Sequence, residues 1–372
     1  MSPTPSLDRK VHWSPPFFEE EDLEAAIQVV RSGWMTQGKQ TAAFENEIAA
    51  ACDAKYAVAV NNGTSALIAA LHAAEIGPGD EVLAPTMTFI ATINAILAVG
   101  AKPILVDCDP QTLNVTPELL HAKLTSKTKA VLFVDVYGMP CDIDRLRLFA
   151  EQNSLILIED AAQAIGAQYK GKPIGSFGHL TVISFHMAKL VPTVEGGCIL
   201  TQDENLAARM KQIRNHGMAG QYHYVCFGLN FRITDIQASL GRSQLKKLTR
   251  IVELRQQLAQ QYEQGLRGLV DFQIVPDYVT SHPHMIYAVF LKDKETRDRV
   301  NRHLNQRGVD TRICWVPTHL QPYHRELFSN QGSFPNAEKA AERNLSLPLG
   351  NALTPEEVSY AIEVVKEALE RI

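Results

Sequence analysis

The chain has no cysteine pair at C-x-x-C spacing, no apolar run long enough to span a bilayer, and no large excess of charge of either sign. Each gap removes a class of function. Its six cysteines, Cys52, Cys108, Cys141, Cys198, Cys226 and Cys314, are scattered through 372 residues. That spacing gives no metal site, and a chain of this length needs no disulfide staples. The expectation is reduced thiols in a cytoplasmic protein. The opening residues, MSPTPSLDRKVHWSPP, contain no apolar core, so no signal peptide is expected. No membrane span is expected either. A net charge of -5 argues against nucleic-acid binding, because a phosphate backbone calls for a basic face. It still allows an anionic small substrate, which needs only a local cluster of cations or backbone amides.

What is present is ordinary for a large folded protein: 45% hydrophobic and 21% charged residues. The length predicts two domains, or one large α/β domain with an appendage. A first helix is expected over 19–32. Acidic residues at its start suit the helix dipole, Leu23, Ile27 and Val30 form an apolar stripe, and Gly33 is a stop. A second helix is expected near 41–52. Strands that are apolar throughout then alternate with helices: YAVAV (56–60), EVLAP (81–85), PILVD (103–107), AVLFVDV (130–136), LILIED (155–160), TVISF (181–185) and GCILT (197–201). The pattern predicts a mostly parallel sheet covered on both faces. Helix is expected over 234–268 with Thr234 as its cap. Strands follow at 272–278, 285–291 and 311–315, and a closing helix at 354–372 is capped by Thr354 with Glu357.

Three segments suggest chemistry. NNGTSA (61–66) joins a strand to a helix. The first amides of a helix lack partners and carry partial positive charge. Gly63 permits close approach, and Thr64 and Ser65 add hydroxyls, so the turn could cradle a phosphate. An ordinary hydroxyl-capped turn has the same composition. Asp160 ends the apolar run LILIED, at the strand edge where open α/β sheets bind ligands. A buried carboxylate there needs a cation or a hydrogen-bond donor, or else simply caps the next helix. Lys189, in SFHMAKLVPTVEGG (184–197), follows a strand within a few residues. It is a solvated amine or one that condenses with an aldehyde. Together the three features match the phosphate, ring nitrogen and aldehyde of pyridoxal phosphate.

The ordered motifs NNGTSAL, GDEVLAPTMTFIAT, VDCDP, EDAAQAIGAQYKGKPIGSFG, SFHMAK, EGG, NHG and LNFRITDIQASLGRSQLKKL resemble the DegT/StrS-type family of pyridoxal-phosphate sugar aminotransferases. SGWMTQGKQTAAFE, HLQPYH and LSLPLG extend the resemblance nearly end to end. It implies the fold type I architecture of aspartate aminotransferase. That is a large domain (1–250) with an N-terminal helical segment and a mostly parallel seven-stranded sheet, followed by a smaller α+β domain (251–372). By the same resemblance Lys189 would be the cofactor lysine and proton carrier, and Asp160 the partner of the pyridine nitrogen. Gln163 would contact the ring and Phe89 would stack on it. Gly63, Thr64, Ser65 and Ser184 would hold the phosphate, and Asn230 would be supplied by the neighbouring subunit of a homodimer. His186, Arg232 and His319 are candidate substrate contacts, each with a structural alternative: packing, an interface ion pair or a loop histidine. Tyr137 reads as core, and Lys246 and Lys247 as a solvated helix face. No metal is expected.

The implied reaction moves an amino group from L-glutamate to a nucleotide-linked keto-sugar. His186 and Glu195 lean it toward the C4 position. Pro192, Val194, Leu190 and His179 depart from the family's usual residues and bear on the substrate more than on the chemistry. Two alternatives are a sugar dehydratase, disfavoured by the presence of Lys189 and the lack of a cysteine cluster, and a catalytically idle regulatory protein on the same fold.

Overall fold

The computed structural model describes residues 10–15 and 17–371; residues 1–9 of the opening segment, Pro16 and Ile372 lie outside the described residues. The central sheet has seven strands: β1 (Tyr56–Val60), β2 (Glu81–Pro85), β3 (Lys102–Val106), β4 (Thr128–Val134), β5 (Ile156–Asp160), β6 (Leu180–Ser184) and β7 (Gly197–Thr201). Their order is β1-β7-β6-β5-β4-β2-β3. β7 is antiparallel to both β1 and β6, and the remaining pairings are parallel. The carboxyl ends of the six parallel strands therefore lie along one edge. Gly197 opens β7 at that edge, in register with Val60 on one side and Ser184 on the other.

The helices in chain order are α1 (Glu20–Arg31), α2 (Lys39–Ala51), α3 (Gly63–Ala73), α4 (Ile90–Ala98), α5 (Pro117–His121), α6 (Ile143–Gln152), α7 (Glu204–Arg214), α8 (Asp235–Leu245), α9 (Leu248–Leu266), α10 (Lys294–Gln306), α11 (Pro322–Leu327), α12 (Pro335–Arg343) and α13 (Pro355–Glu370). Alternate strand residues face opposite sides of the sheet. Val58, Leu132, Val182 and Ile199 pack with Leu67 and Leu71 of α3 and Ile93 and Ile96 of α4. On the opposite face, Ala57, Ala59, Ile183 and Leu200 meet Phe44 and Ile48 of α2 and Ala238 of α8, while Val131, Phe133 and Leu157 meet Leu146 and Phe149 of α6. Burial on both faces is why these strands read as unbroken apolar runs.

A second sheet joins β8 (Asp271–Phe272), β9 (Tyr287–Phe290) and β10 (Asn344–Leu347) in that order, antiparallel. With α9, α10 and α13 it builds a separate apolar cluster around Leu258, Tyr262, Val289, Leu304, Leu345 and Val358. Expectation and structure diverge most here. Residues 272–278 and 285–291 shorten to two- and four-residue strands. Residues 311–315 form only an isolated bridge, Arg312 to Ser346, because the Cys314 N–H donates to the Asn344 side chain instead of a ladder.

Two further expectations are corrected. The stretch over 234–268 is two helices, broken at Lys246 and Lys247. Lys247 is no solvated amine: its Nζ lies 2.6 Å from Asp22 and 2.7 Å from Glu19. Those contacts turn the polar side of α1 inward, so Asp22 is fully buried while Leu23, Ile27 and Val30 are 50%, 40% and 52% exposed. The apolar stripe of α1 does not face the core of its own chain. Among the described residues no helix is long and apolar enough to cross a membrane, and all six cysteines are free thiols.

Helix α2 begins at a glycine N-cap with no side chain to offer. Its cap comes from Asp235 at the start of α8, whose carboxylate accepts from the backbone N–H groups of Gly38, Gln40 and Thr41 and from the Thr41 hydroxyl. Asp235→Ala leaves the buried Thr41 donors and the half-buried Gly38 and Gln40 amides without their acceptor and is expected to destabilise the fold by about 3 kcal/mol. Thr354→Ala, which removes only a local cap from α13, should cost about 1 kcal/mol. Thermal unfolding midpoints should fall in that order.

Candidate active site

The sheet edge that collects the parallel carboxyl ends opens into a cavity of about 650 Å³. Its walls come from the turn after β1, the turn before α4, the residues after β5 and β6, and two later segments at 285–286 and 314–315. Nine sequence candidates line it: Gly63, Thr64, Ser65, Phe89, Asp160, Gln163, Ser184, His186 and Lys189.

One end is built for an anion. Asn62, not a hydroxyl, caps α3: its Oδ1 accepts from the Ser65 N–H at 2.8 Å. Gly63 and Thr64 lead the helix, and their amides have no acceptor among the described residues. Ser184 closes this end; a side-chain carbon on Gly63 would meet the Ser184 Cβ at 3.1 Å. Gly197 is required on the other side, since a Cβ there would sit 2.5 Å from the Asn62 carbonyl oxygen. Close backbone approach at two glycines thus produces a concave row of donors at a helix N-terminus.

Further in stands Asp160, 6% exposed. Its Oδ2 accepts from the Thr92 hydroxyl at 2.7 Å, and its Oδ1 from the Ala162 N–H at 3.2 Å. Desolvation raises its pKa, opposed by those hydrogen bonds and by the nearby charge of Lys189. Thr92 is itself paired with Thr88 at 2.7 Å. Burial likewise acts on the Lys189 amine, lowering its pKa from 10.5 to about 8, with the Asp160 charge pulling the other way. Part of the Lys189 side chain still reaches the cavity surface. The Phe89 ring is 58% exposed on the cavity wall. Gln163 accepts from the Tyr137 N–H at 3.1 Å. His186 stands at the mouth, with Nε2 3.8 Å from the Glu195 carboxylate.

Three candidates are not brought to this cavity. His319 is tied by Nδ1 to the Thr86 hydroxyl at 2.7 Å and by Nε2 to Glu338 at 3.1 Å, and is neither a pocket residue nor a free loop histidine. Asn230 is exposed and accepts from the Arg232 N–H, while the Arg232 guanidinium donates to Asn215. Tyr137 is fully buried beneath the site, as expected. His179 lies behind the sheet edge, where its Nε2 meets Glu159 at 2.9 Å. Desolvation keeps that imidazole neutral, with a pKa of about 4.

Sequence reasoning missed several residues here. Asn62 and Thr92 lay within quoted motifs but were not weighed. Trp13 and Trp315 line the cavity from distant parts of the chain. Arg255 is fully buried on α9 and donates to the carbonyls of Pro283, His284 and Met285 and to Asn351 Oδ1. Asn351 in turn donates to the carbonyl of Leu190, next to Lys189. Nothing in the sequence around Arg255 marks it; only packing makes it a clamp on the lysine segment.

A sequence model described as the DegT/DnrJ/EryC1/StrS aminotransferase family matches residues 16–366. The spore coat polysaccharide biosynthesis protein SpsC of Bacillus subtilis (strain 168) is 35% identical, with 97% of this chain and 98% of that protein covered. The S. venezuelae protein DesV, solved in complex with a ketimine intermediate, is 36% identical with a TM-score of 0.91, covering 95% of each chain. A Streptococcus pneumoniae protein described as a sugar aminotransferase, solved in its PLP form, is 29% identical with a TM-score of 0.93, covering 98% of this chain and 99% of its own.

The Lys189 amine should become reactive as pH rises through about 8, far below a solvated lysine. Competitive labelling with acetic anhydride, read at Lys189 by mass spectrometry, checks this. In Asp160→Asn the half-point should move lower, because the charge that favours the ammonium form is gone. A half-point near 10.5 would refute the desolvated amine.

Proposed function

Because the chain belongs to the DegT/DnrJ/EryC1/StrS aminotransferase family, we propose that it transfers an amino group from L-glutamate to a keto-sugar carried on a nucleoside diphosphate, using pyridoxal 5′-phosphate. The observation that carries this reading is the convergence of Lys189, Asp160 and the α3 amides on one cavity. These residues fit the cofactor. The amides of Gly63 and Thr64 and the hydroxyls of Thr64, Ser65 and Ser184 suit its phosphate. Asp160 suits a protonated ring nitrogen, Phe89 offers an aromatic face, and Gln163 lines the same wall. When bound, the cofactor supplies an aldehyde for the amine and a ring that withdraws electrons from the adjoining carbon.

The chain's own groups do the rest. Asp160, held by Thr92 and Ala162, would favour a proton at the ring nitrogen of a bound cofactor. Lys189, with a pKa near 8, is present in both forms close to neutral pH, so its Nζ can take a proton from the donor carbon and return one. The lean toward an acceptor carbonyl at C4 rests on the likeness of the His186 and Glu195 motifs to family members that act there. The product would be an amino-sugar nucleotide for polysaccharide or secondary-metabolite synthesis, in keeping with SpsC being a spore coat polysaccharide biosynthesis protein.

Each site is completed across a homodimer in this reading. Asn230 and Arg232 are absent from their own chain's cavity wall, and the exposed Phe227 and Leu229 lie beside them. The uncovered stripe of α1 offers further apolar area for a second copy. His319 is left out of the proposed site.

With pyridoxal phosphate and L-glutamate but no acceptor, the protein should release about one equivalent of 2-oxoglutarate per site. Lys189→Ala should slow that release by at least about 10³-fold. Formation of the matching 2-oxo acid from another amino acid, with no 2-oxoglutarate from glutamate, would discard the assigned donor.

A further inference from the structure

Resting on the sugar-aminotransferase reading, we propose that Trp13 and Trp315 form an aromatic wall that receives the pyranose ring of the acceptor and takes no part in the glutamate half of the reaction. Two of the chain's three tryptophans line the one cavity. They come from opposite ends of the sequence, and neither is needed for the anion cradle or for Asp160. Phe89 is the aromatic beside those groups: Thr88, its neighbour, bonds Thr92, which holds Asp160. That leaves the two indoles without a task in cofactor binding.

Both rings are held from behind. The Trp13 Nε1–H donates to the Ser346 hydroxyl at 2.8 Å, so its one polar atom is satisfied within the protein. The residues around Trp13 form a strap across the smaller sheet. The Val11 N–H donates to Gly308, Asp310 donates back to Val11, and Leu349 donates to the Trp13 carbonyl, at 2.8, 2.9 and 3.0 Å. Gly350 lies so close under the strap that a side-chain carbon there would sit 2.6 Å from the Pro15 ring. Trp315 stands 5.5 Å from the buried Tyr137 ring, and the Tyr137 hydroxyl donates to the Cys314 carbonyl. Two partly exposed indoles, each fixed by a bond or a ring on its far side, are pre-organised surfaces.

The chemistry selects the occupant. An indole face is electron-rich and apolar, and a pyranose presents a patch of C–H groups on its ring face with hydroxyls around the rim. L-Glutamate has a flexible chain with charged groups at both ends and no such face. The wall should therefore discriminate between the two substrates that share the cavity.

The test uses the holoenzyme and thymidine-diphosphate 4-keto-6-deoxyglucose as the probe. Release of 2-oxoglutarate reports the glutamate half, and formation of amino-sugar nucleotide by glutamate-treated enzyme reports the other. Trp13→Ala should lower kcat/KM for the keto-sugar by about 10- to 100-fold, while 2-oxoglutarate release changes less than about twofold. Trp13→Phe should recover most of the loss, and Ser346→Ala should fall between. The keto-sugar should also quench tryptophan fluorescence, and less so in Trp13→Phe. Unchanged keto-sugar kinetics in Trp13→Ala, equal slowing of both halves, or no quenching of the wild-type protein would each overturn the wall. Trp13-dependent quenching by a wild-type protein that releases no 2-oxoglutarate would overturn the proposed reaction and retain the wall.

Discussion

The carboxylate of Asp160 and the amine of Lys189 share one desolvated cavity, and much of the surrounding structure serves to make that tolerable. Either group alone would shed its charge on burial. Placed together, each offsets part of the other's desolvation: Lys189 draws the Asp160 pKa down and Asp160 draws that of Lys189 up. The balance lowers the pKa of the amine to about 8.

Keeping the pair in place takes support on three sides. Thr92 and the Ala162 amide fix the carboxylate. The Arg255–Asn351–Leu190 chain ties the lysine segment to α9, and the same guanidinium pins the backbone at 283–285, next to the cavity wall. Arg255 itself is strained electrostatically; burial pushes its pKa down to about 9. A buried cation that donates to four acceptors fixes two segments that have no regular secondary structure of their own. On the third side, Gly63 and Gly197 let β1, β6 and β7 converge until the α3 amides face the same space.

The large sheet was legible because its strands are buried on both faces and so appear as apolar runs with helices between. All seven were located within a residue or two. The smaller sheet was not, because its strands are short and take their partners across long stretches of chain: β9 pairs with β10 more than fifty residues later. The stripe Leu23, Ile27 and Val30 shows a different limit. Periodicity reports that one face of a helix is apolar, not what covers it, and Lys247 with Gln244 pulled the polar face inward instead. Asn230, expected to serve a neighbouring subunit, lies outside its own chain's cavity wall, as does Arg232. A motif gives residue order but not which cavity a side chain enters.

By itself the sequence determined the seven strands of the main sheet and their mostly parallel run, the strand edge at which Asp160 emerges and the helix start at Gly63. These are local consequences of period, burial and missing side chains. Tertiary structure alone decided which residues support the charged pair. Arg255 and Asn351 are distant in sequence from Lys189 and ordinary in their local context. Their roles come from packing, because a buried polar group must find its partner in space, wherever in the chain that partner lies.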